Sequence, residues 1–186
     1  MDGMDGMDGL GDAPQPGKYA RVERERRFLL AASPPAEPTA VFRITDRYLT
    51  GTRMRLRRVE RRGAEPEFKL TQKIPAGRPG AVQGLITNTY LSPAEYEVFA
   101  GLPARVLSKT RYRLPPLGVD VFEQPLHGLV LAEAEFDSEA SAQVFAVPSF
   151  AVAEVTDDPR FTGGRLVAAT RAELLEWLAE YGIAPE

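Results

Sequence analysis

The chain has 186 residues, 44% hydrophobic and 26% charged, which suits one domain with a real core. Its formal charge of −3 hides a split, since residues 21–73 carry a net +7 and residues 74–186 a net −7. No apolar run is long enough to span a bilayer, no signal-peptide pattern opens the chain, and the absence of cysteine excludes disulfides, thiol catalysis and thiolate metal sites.

In chain order, residues 1–18 are a Gly/Asp/Pro-rich stretch built on the repeat MDGMDGMDG, expected to be a flexible tail. A single domain is expected over residues 19–186. Its dominant signal is period two, the mark of half-buried strands. Glu23, Glu25 and Arg27 alternate with Val22 and Phe28. Arg53, Arg55 and Arg57 alternate with Met54 and Leu56, and Lys69, Thr71 and Lys73 with Phe68, Leu70 and Ile74. A strand from Gly84 to Tyr90 succeeds the Pro75–Gly80 turn cluster. Ser92-Pro93-Ala94-Glu95 is a capping box that opens a helix to about Gly101. Lys109, Arg111 and Arg113, then Asp120, then Glu133, Glu135 and Asp137 continue the alternation. Asp137 or Ser138 caps a second helix, with Ala142, Val144 and Phe145 turned inward. Thr170-Arg171-Ala172-Glu173 caps a last helix, whose stripe of Leu174, Leu175, Trp177, Leu178 and Tyr181 packs against the sheet. The fold class is therefore mainly β, of the α+β type, with a few short helices.

Like charges two residues apart on one strand face repel. One such strand is a solvated sheet face. Six together are better explained by a closed antiparallel barrel with the charges in its lumen. Acid pairs (Glu23 with Glu25, Glu133 with Glu135) then approach when the first strand meets a late one. Such a carboxylate group is stable only around a cation. With one histidine, His127, and no cysteine, that cation is a hard, oxygen-bound ion such as Mg²⁺, Ca²⁺ or Mn²⁺. Arg27, Arg55, Arg57, Lys73, Lys109 and Arg111 face the acids, and this much positive charge suits a polyphosphate. Few aromatics interleave the basic strands, which argues against nucleic acid as partner.

The string Glu23-Arg-Glu25-Arg-Arg27-Phe28 resembles the E-x-E-x-K signature of the CYTH superfamily, the triphosphate tunnel metalloenzymes. The order of the later motifs resembles it too. The R-x-R pair Arg55/Arg57 comes first, then Leu70-Thr-Gln-Lys73 and Leu107-Ser-Lys109-Thr-Arg111-Tyr112. Val119-Asp120-Val121-Phe122, Leu131-Ala-Glu133-Ala-Glu135-Phe136 and Val155-Thr-Asp-Asp-Pro-Arg160-Phe161 complete the set. The match spans roughly residues 19–168. It implies an eight-stranded antiparallel barrel that binds a triphosphate and hydrolyses it with Mg²⁺ or Mn²⁺; the cytoplasm, by default from the composition, is the expected location. By the same resemblance, Glu23, Glu25, Glu133 and Glu135 hold metal, with Asp120 assisting. Arg27, Arg55, Arg57, Lys73, Arg111 and Arg160 hold phosphates, and Lys109 activates the attacking water.

Inorganic tripolyphosphate is the expected substrate. The alternatives are a polyphosphate- or nucleotide-binding module without turnover, and an adenylyl cyclase-type enzyme. The His-Phe run that marks class IV cyclases is absent before Glu23. Two positions depart from the family pattern: Arg27 stands where the signature has lysine, and the strand with Ile86 and Asn88 lacks an R-x-E-x-E run. Other conspicuous residues are expected in plain roles: His127 in a loop, Asp157 and Asp158 at a turn, Trp177 in the core, Arg61 and Arg62 at a solvated hairpin end.

Overall fold

In a computed structural model, residues 17–33 and 36–184 are described; most of the expected N-terminal tail, residues 1–16, lies outside them. Eight antiparallel strands close on themselves: β1 (Arg21–Leu30), β2 (Ala40–Leu49), β3 (Met54–Glu60), β4 (Glu67–Pro75), β5 (Val82–Leu91), β6 (Ala104–Leu114), β7 (Leu117–Phe122) and β8 (Val130–Glu135). Their order around the barrel is β5-β4-β3-β2-β6-β7-β8-β1, and β1 closes the ring on β5. The barrel is thus the expected one, closed by a short seam in which only Arg21–Arg24 of β1 pair with Val82–Ile86 of β5. A two-residue strand, β9 (Ala153–Glu154), adds to β1 opposite Phe28 and Leu29.

The seam depends on a shift. Arg21–Glu23 of β1 pair with Ile86–Gly84 of β5, and the register slips between Glu23 and Arg24. Gly84 sits there with φ 142°, a conformation that favours glycine, and a Cβ would meet the Ile74 carbonyl oxygen at 2.0 Å. The other side of β1 pairs with β8, setting Glu25 opposite Glu135 and Arg27 opposite Glu133.

Alternate residues bury their side chains outside the ring. Phe28, Leu30, Val119, Val130, Ala132 and Ala134 form one outer cluster, against which Phe145 and Phe136 pack. Helix α1 (Pro93–Ala100), capped by Ser92 and Glu95 as expected, drops Tyr96 onto Leu49, Leu56 and Leu70. Helix α2 (Glu139–Val144) is capped by Ser138 and buries Ala142. Val144, expected to face inward, is 83% exposed, because a six-residue helix has only one turn against the sheet.

The strand β2 carries no pair of like charges two residues apart, so the period-two charge pattern does not reveal it. The C-terminal segment also differs from expectation. A 3₁₀ turn (Pro159–Phe161), α3 (Gly163–Leu166) and α4 (Arg171–Glu180) come after β9. The stripe of α4 does not cover an outer sheet face. Leu174, Trp177 and Leu178 join Phe161 and Leu166 against Leu29, Leu107, Phe122 and Leu131. Each of those four strand residues lies two positions from a charged inward residue (Arg27, Lys109, Asp120, Glu133), hence on the same face. The apolar cluster therefore fills one end of the barrel interior, and the charges occupy the other. Leu175, counted in the stripe, is 37% exposed.

Candidate functional site

The charged end encloses a cavity of about 830 Å³. Ten cationic and five carboxylate side chains line it, contributed chiefly by β1, β3, β4, β6 and β8. The opposite charges are set against one another. Lys73 Nζ donates to both oxygens of Glu23, at 2.8 and 2.9 Å. Arg111 Nη2 donates to Glu133. Arg27 Nε lies 3.6 Å from Glu25. Glu135 is exposed at the rim.

Glu25 stands apart from the other acids. Burial pushes its carboxyl up, the neighbouring Glu133 and Glu23 add to that, Lys73 and Arg27 oppose it, and the result is about 7. Burial acts the same way on Glu133, yet Arg111, Lys109, Lys73 and Arg27 outweigh it and hold Glu133 well below the usual carboxylate range. A divalent cation is the group that relieves a crowded carboxylate such as Glu25. Among the described residues, no three acidic or imidazole groups form a ready metal cage. That is compatible with Mg²⁺ chemistry, because this ion is usually held by one or two carboxylates together with substrate phosphates. The oxygen donors present therefore fit a hard cation that arrives with its substrate.

Two buried aspartates underlie the cationic wall. Asp120, expected to assist at a metal, is fully buried and accepts from Lys109 Nζ and, bidentately, from Arg111 Nε and Nη2. Its oxygens are committed to cations, so it acts as their anchor. Gly118 makes this geometry accessible: it stands opposite Glu133, and a Cβ there would meet Arg111 Cδ at 3.3 Å. The guanidinium crosses that gap to reach Glu133. Asp46 on β2 plays the matching part, accepting from Arg57 Nε and Nη2 at 2.6 and 2.7 Å, with Arg55 Nε at 3.5 Å. Burial alone would raise the Asp46 carboxyl, but Arg57 and Arg55 hold it far below the ordinary value.

The expected residues fall into three groups. Glu23, Glu25, Arg27, Arg55, Arg57, Lys73, Lys109, Arg111, Glu133 and Glu135 all line the cavity. Asp120 lies beneath its wall. Arg160 is not brought to it: Asp158 and Glu180 take its guanidinium, because Asp158 caps the 3₁₀ turn that carries it. Arg27 lines the cavity but spends its donors on Gln83 Oε1 and on the carbonyls of Thr156 and Phe161. It ties β1 to the C-terminal segment as much as it faces the lumen.

Sequence reasoning missed Asp46 and Tyr48 with their strand; it placed Lys69 and Arg53 on charged strand faces without a site role, and both line the cavity. An aspartate inside an apolar strand sequence (Ile44-Thr-Asp46-Arg-Tyr48) was the available signal, since aspartate is depleted in strands unless paired. Burial, then Arg57 and Arg55, push the Lys69 amine down, and its Nζ lies 5.8 Å from the Tyr90 ring centre. On β5 the inward positions are uncharged: Ile86, Asn88 and Tyr90 line the cavity, and Asn88 Oδ1 accepts from Thr71 Oγ1 at 2.7 Å. The residues expected in plain roles hold them. Trp177 is in the core, Asp158 caps a turn, and His127 lies in the turn before β8 with its carbonyl accepting from Arg171.

No family model matches the chain. A curated relative does: the inorganic triphosphatase of Nitrosomonas europaea is 33% identical, over 75% of this chain and 93% of its own length. The chain belongs to the CYTH (triphosphate tunnel) family. The crystal structure of the inorganic triphosphatase NE1496 is similar at a TM-score of 0.53, with 29% identity over 80% of this chain and 96% of its own. A second crystal structure, described as the hypothetical protein NE1496, matches at the same TM-score with 31% identity over 80% of this chain and 99% of its own.

Proposed function

We propose that this CYTH-family protein is a divalent-metal-dependent triphosphatase that hydrolyses inorganic tripolyphosphate to pyrophosphate and orthophosphate. The observation that carries the reading is the cavity: a basic wall, steered by buried aspartates, facing a crowded group of carboxylates. The named activity of the Nitrosomonas relative supports the same substrate class.

Phosphoryl transfer asks the protein mainly for positioning and for charge stabilisation. Arg55, Arg57, Lys73 and Arg111 line the phosphate path, and Arg27 holds its closed end. Lys109, fixed by Asp120, turns its remaining N–H donors to the attacking water. Glu25 and Glu133, with Glu23 and Glu135 at the rim, would hold Mg²⁺ or Mn²⁺. Such an ion would supply positive charge to offset the charge that grows on the leaving oxygen. Water adds to the terminal phosphorus, the P–O bond to the bridging oxygen breaks, and that oxygen leaves with pyrophosphate. Lys73 and Arg111, paired with Glu23 and Glu133 at rest, would turn to the phosphate oxygens, and the carboxylates so released would be the ones to hold the cation.

The cytoplasm suits this reading; among the described residues, no helix is long and apolar enough to cross a membrane. The test is orthophosphate release from tripolyphosphate with Mg²⁺ or Mn²⁺ against a chelator control. Glu23→Gln and Glu133→Gln should lose it; if both keep the wild-type rate, the metal assignment is wrong. Tight tripolyphosphate binding without product over hours would select the binding-module reading, for which the uncharged Ile86-Asn88-Tyr90 face of β5 speaks.

A further inference from the structure

Asp46 anchors the basic wall without reaching the cavity itself: it is 1% exposed, and its carboxyl is held low by Arg57 and Arg55. Its partner across the ladder is Arg57, and two residues on, Tyr48 faces Arg55. Arg57 gives Asp46 its whole Nε/Nη2 edge. A guanidinium is planar, so one bidentate contact fixes the orientation of the entire fork. Its Nη1 donates to no protein acceptor among the described residues; Arg55 turns its buried Nε toward Asp46 at 3.5 Å and gives Nη2 to Thr71 Oγ1, so its Nη1 too is uncommitted. Both guanidiniums line the cavity. Without an anion between them, two such cations on one strand face repel and turn away from each other.

We propose that Asp46 is a positioning residue, which locks the Arg57 fork and draws in Arg55 so that their free N–H donors meet the oxygens of one phosphate. It touches no substrate itself. This rests on the triphosphatase reading for its ligand. It extends that reading to specificity: with the Nε/Nη2 edge of Arg57 already taken, the phosphate is gripped by two different arginines, one donor edge from each. A planar carboxylate, with only two oxygens, would gain less from that fixed pair than a tetrahedral phosphate.

The test is a double-mutant cycle in the full chain, read by steady-state kinetics and by calorimetry with tripolyphosphate in Ca²⁺. Asp46→Asn should raise KM for tripolyphosphate roughly tenfold while kcat moves less than about threefold, the signature of lost binding rather than lost chemistry. Asp46→Asn in an Arg57→Met background should change KM little beyond Arg57→Met alone, since the carboxylate then has no fork to hold. If Asp46→Asn fails to fold, this second comparison decides, because the double variant leaves no unpaired charge on Arg57. Melting temperature alone falling, with KM and affinity unchanged, overturns the proposal and leaves a purely structural ion pair. Full multiplication of the two single effects overturns it as well. Wild-type protein that neither binds nor hydrolyses tripolyphosphate would instead sink the functional reading on which it stands.

Discussion

The two ends of the barrel interior are built on the same face of the same strands, one step apart. Arg27 is succeeded on that face by Leu29 and Asp120 by Phe122, while Leu107 precedes Lys109 and Leu131 precedes Glu133. At one end, α4 and the 3₁₀ turn fill the interior with Leu174, Trp177, Leu178 and Phe161. At the other, no apolar cluster among the described residues fills the lumen, and the carboxylates there are set against a larger number of cations. The difference shows what holds such a cavity open. The apolar end supplies burial that stabilises the ring, and the charged end is stabilised by pairing of its deepest ions, Asp46 with Arg57 and Asp120 with Lys109 and Arg111.

The comparison breaks most visibly at the apolar end. Trp177→Ala removes a large side chain that is 8% exposed and sits edge-on to Phe161 at 6.4 Å. A loss of about 3–5 kcal/mol is expected, the usual scale for such truncations. Chemical denaturation measures it, and the folded fraction should retain its KM for tripolyphosphate. A changed KM at unchanged stability would mean that the two ends are not separable.

At the charged end, Glu133→Gln keeps the volume and removes the charge that Arg111 and the proposed metal share. We expect kcat/KM to fall by about a hundredfold or more, the scale for losing one charged transition-state contact. Stability should change far less than in Trp177→Ala. A smaller effect is expected from Gly118→Val, which leaves every charged residue in place but fills the gap that Arg111 crosses. A fall of roughly tenfold in kcat/KM is predicted, since displacement by about an ångström is costly in a positioned site. Unchanged kinetics would show that Arg111 reaches Glu133 by another path.

The sequence made the charged end more legible than the apolar one. Like charges at period two betray an enclosed face, because no strand gains from that repulsion in isolation. That repulsion implies the barrel and most of the cavity lining. It does not reveal β2, where Asp46 is a single acid whose partners Arg57 and Arg55 lie on another strand. Nor does it distinguish Arg160, which has the right charge but is captured by Asp158 two residues away. The apolar plug was legible only as a helical stripe. A stripe states that α4 is buried on one side and is silent on whether an outer sheet or a barrel end receives it.

The smallest effect expected is a dependence on pH that belongs to Asp46. Its carboxyl is held below the ordinary range in the folded protein, against the pull of burial, by Arg57 and Arg55. An unfolded aspartate has a pKa of about 3.9. Between these two values the unfolded chain binds the proton and the folded one does not, so stability rises with pH. The contribution is complete above the unfolded value and is lost as pH falls toward the folded one. At pH 3 the loss from this single group is about 1 kcal/mol relative to pH 7. Asp46→Asn has no such proton to bind. The stability gap between wild type and Asp46→Asn, measured by denaturant titration at each pH, should therefore narrow by that amount between pH 5 and pH 3. A gap that stays constant over this range would mean that Asp46 titrates alike in the folded and unfolded chain. Arg57 and Arg55 would then not be coupled to its charge, and the contrast between a paired charged end and an apolar end would fail at its deepest ion pair.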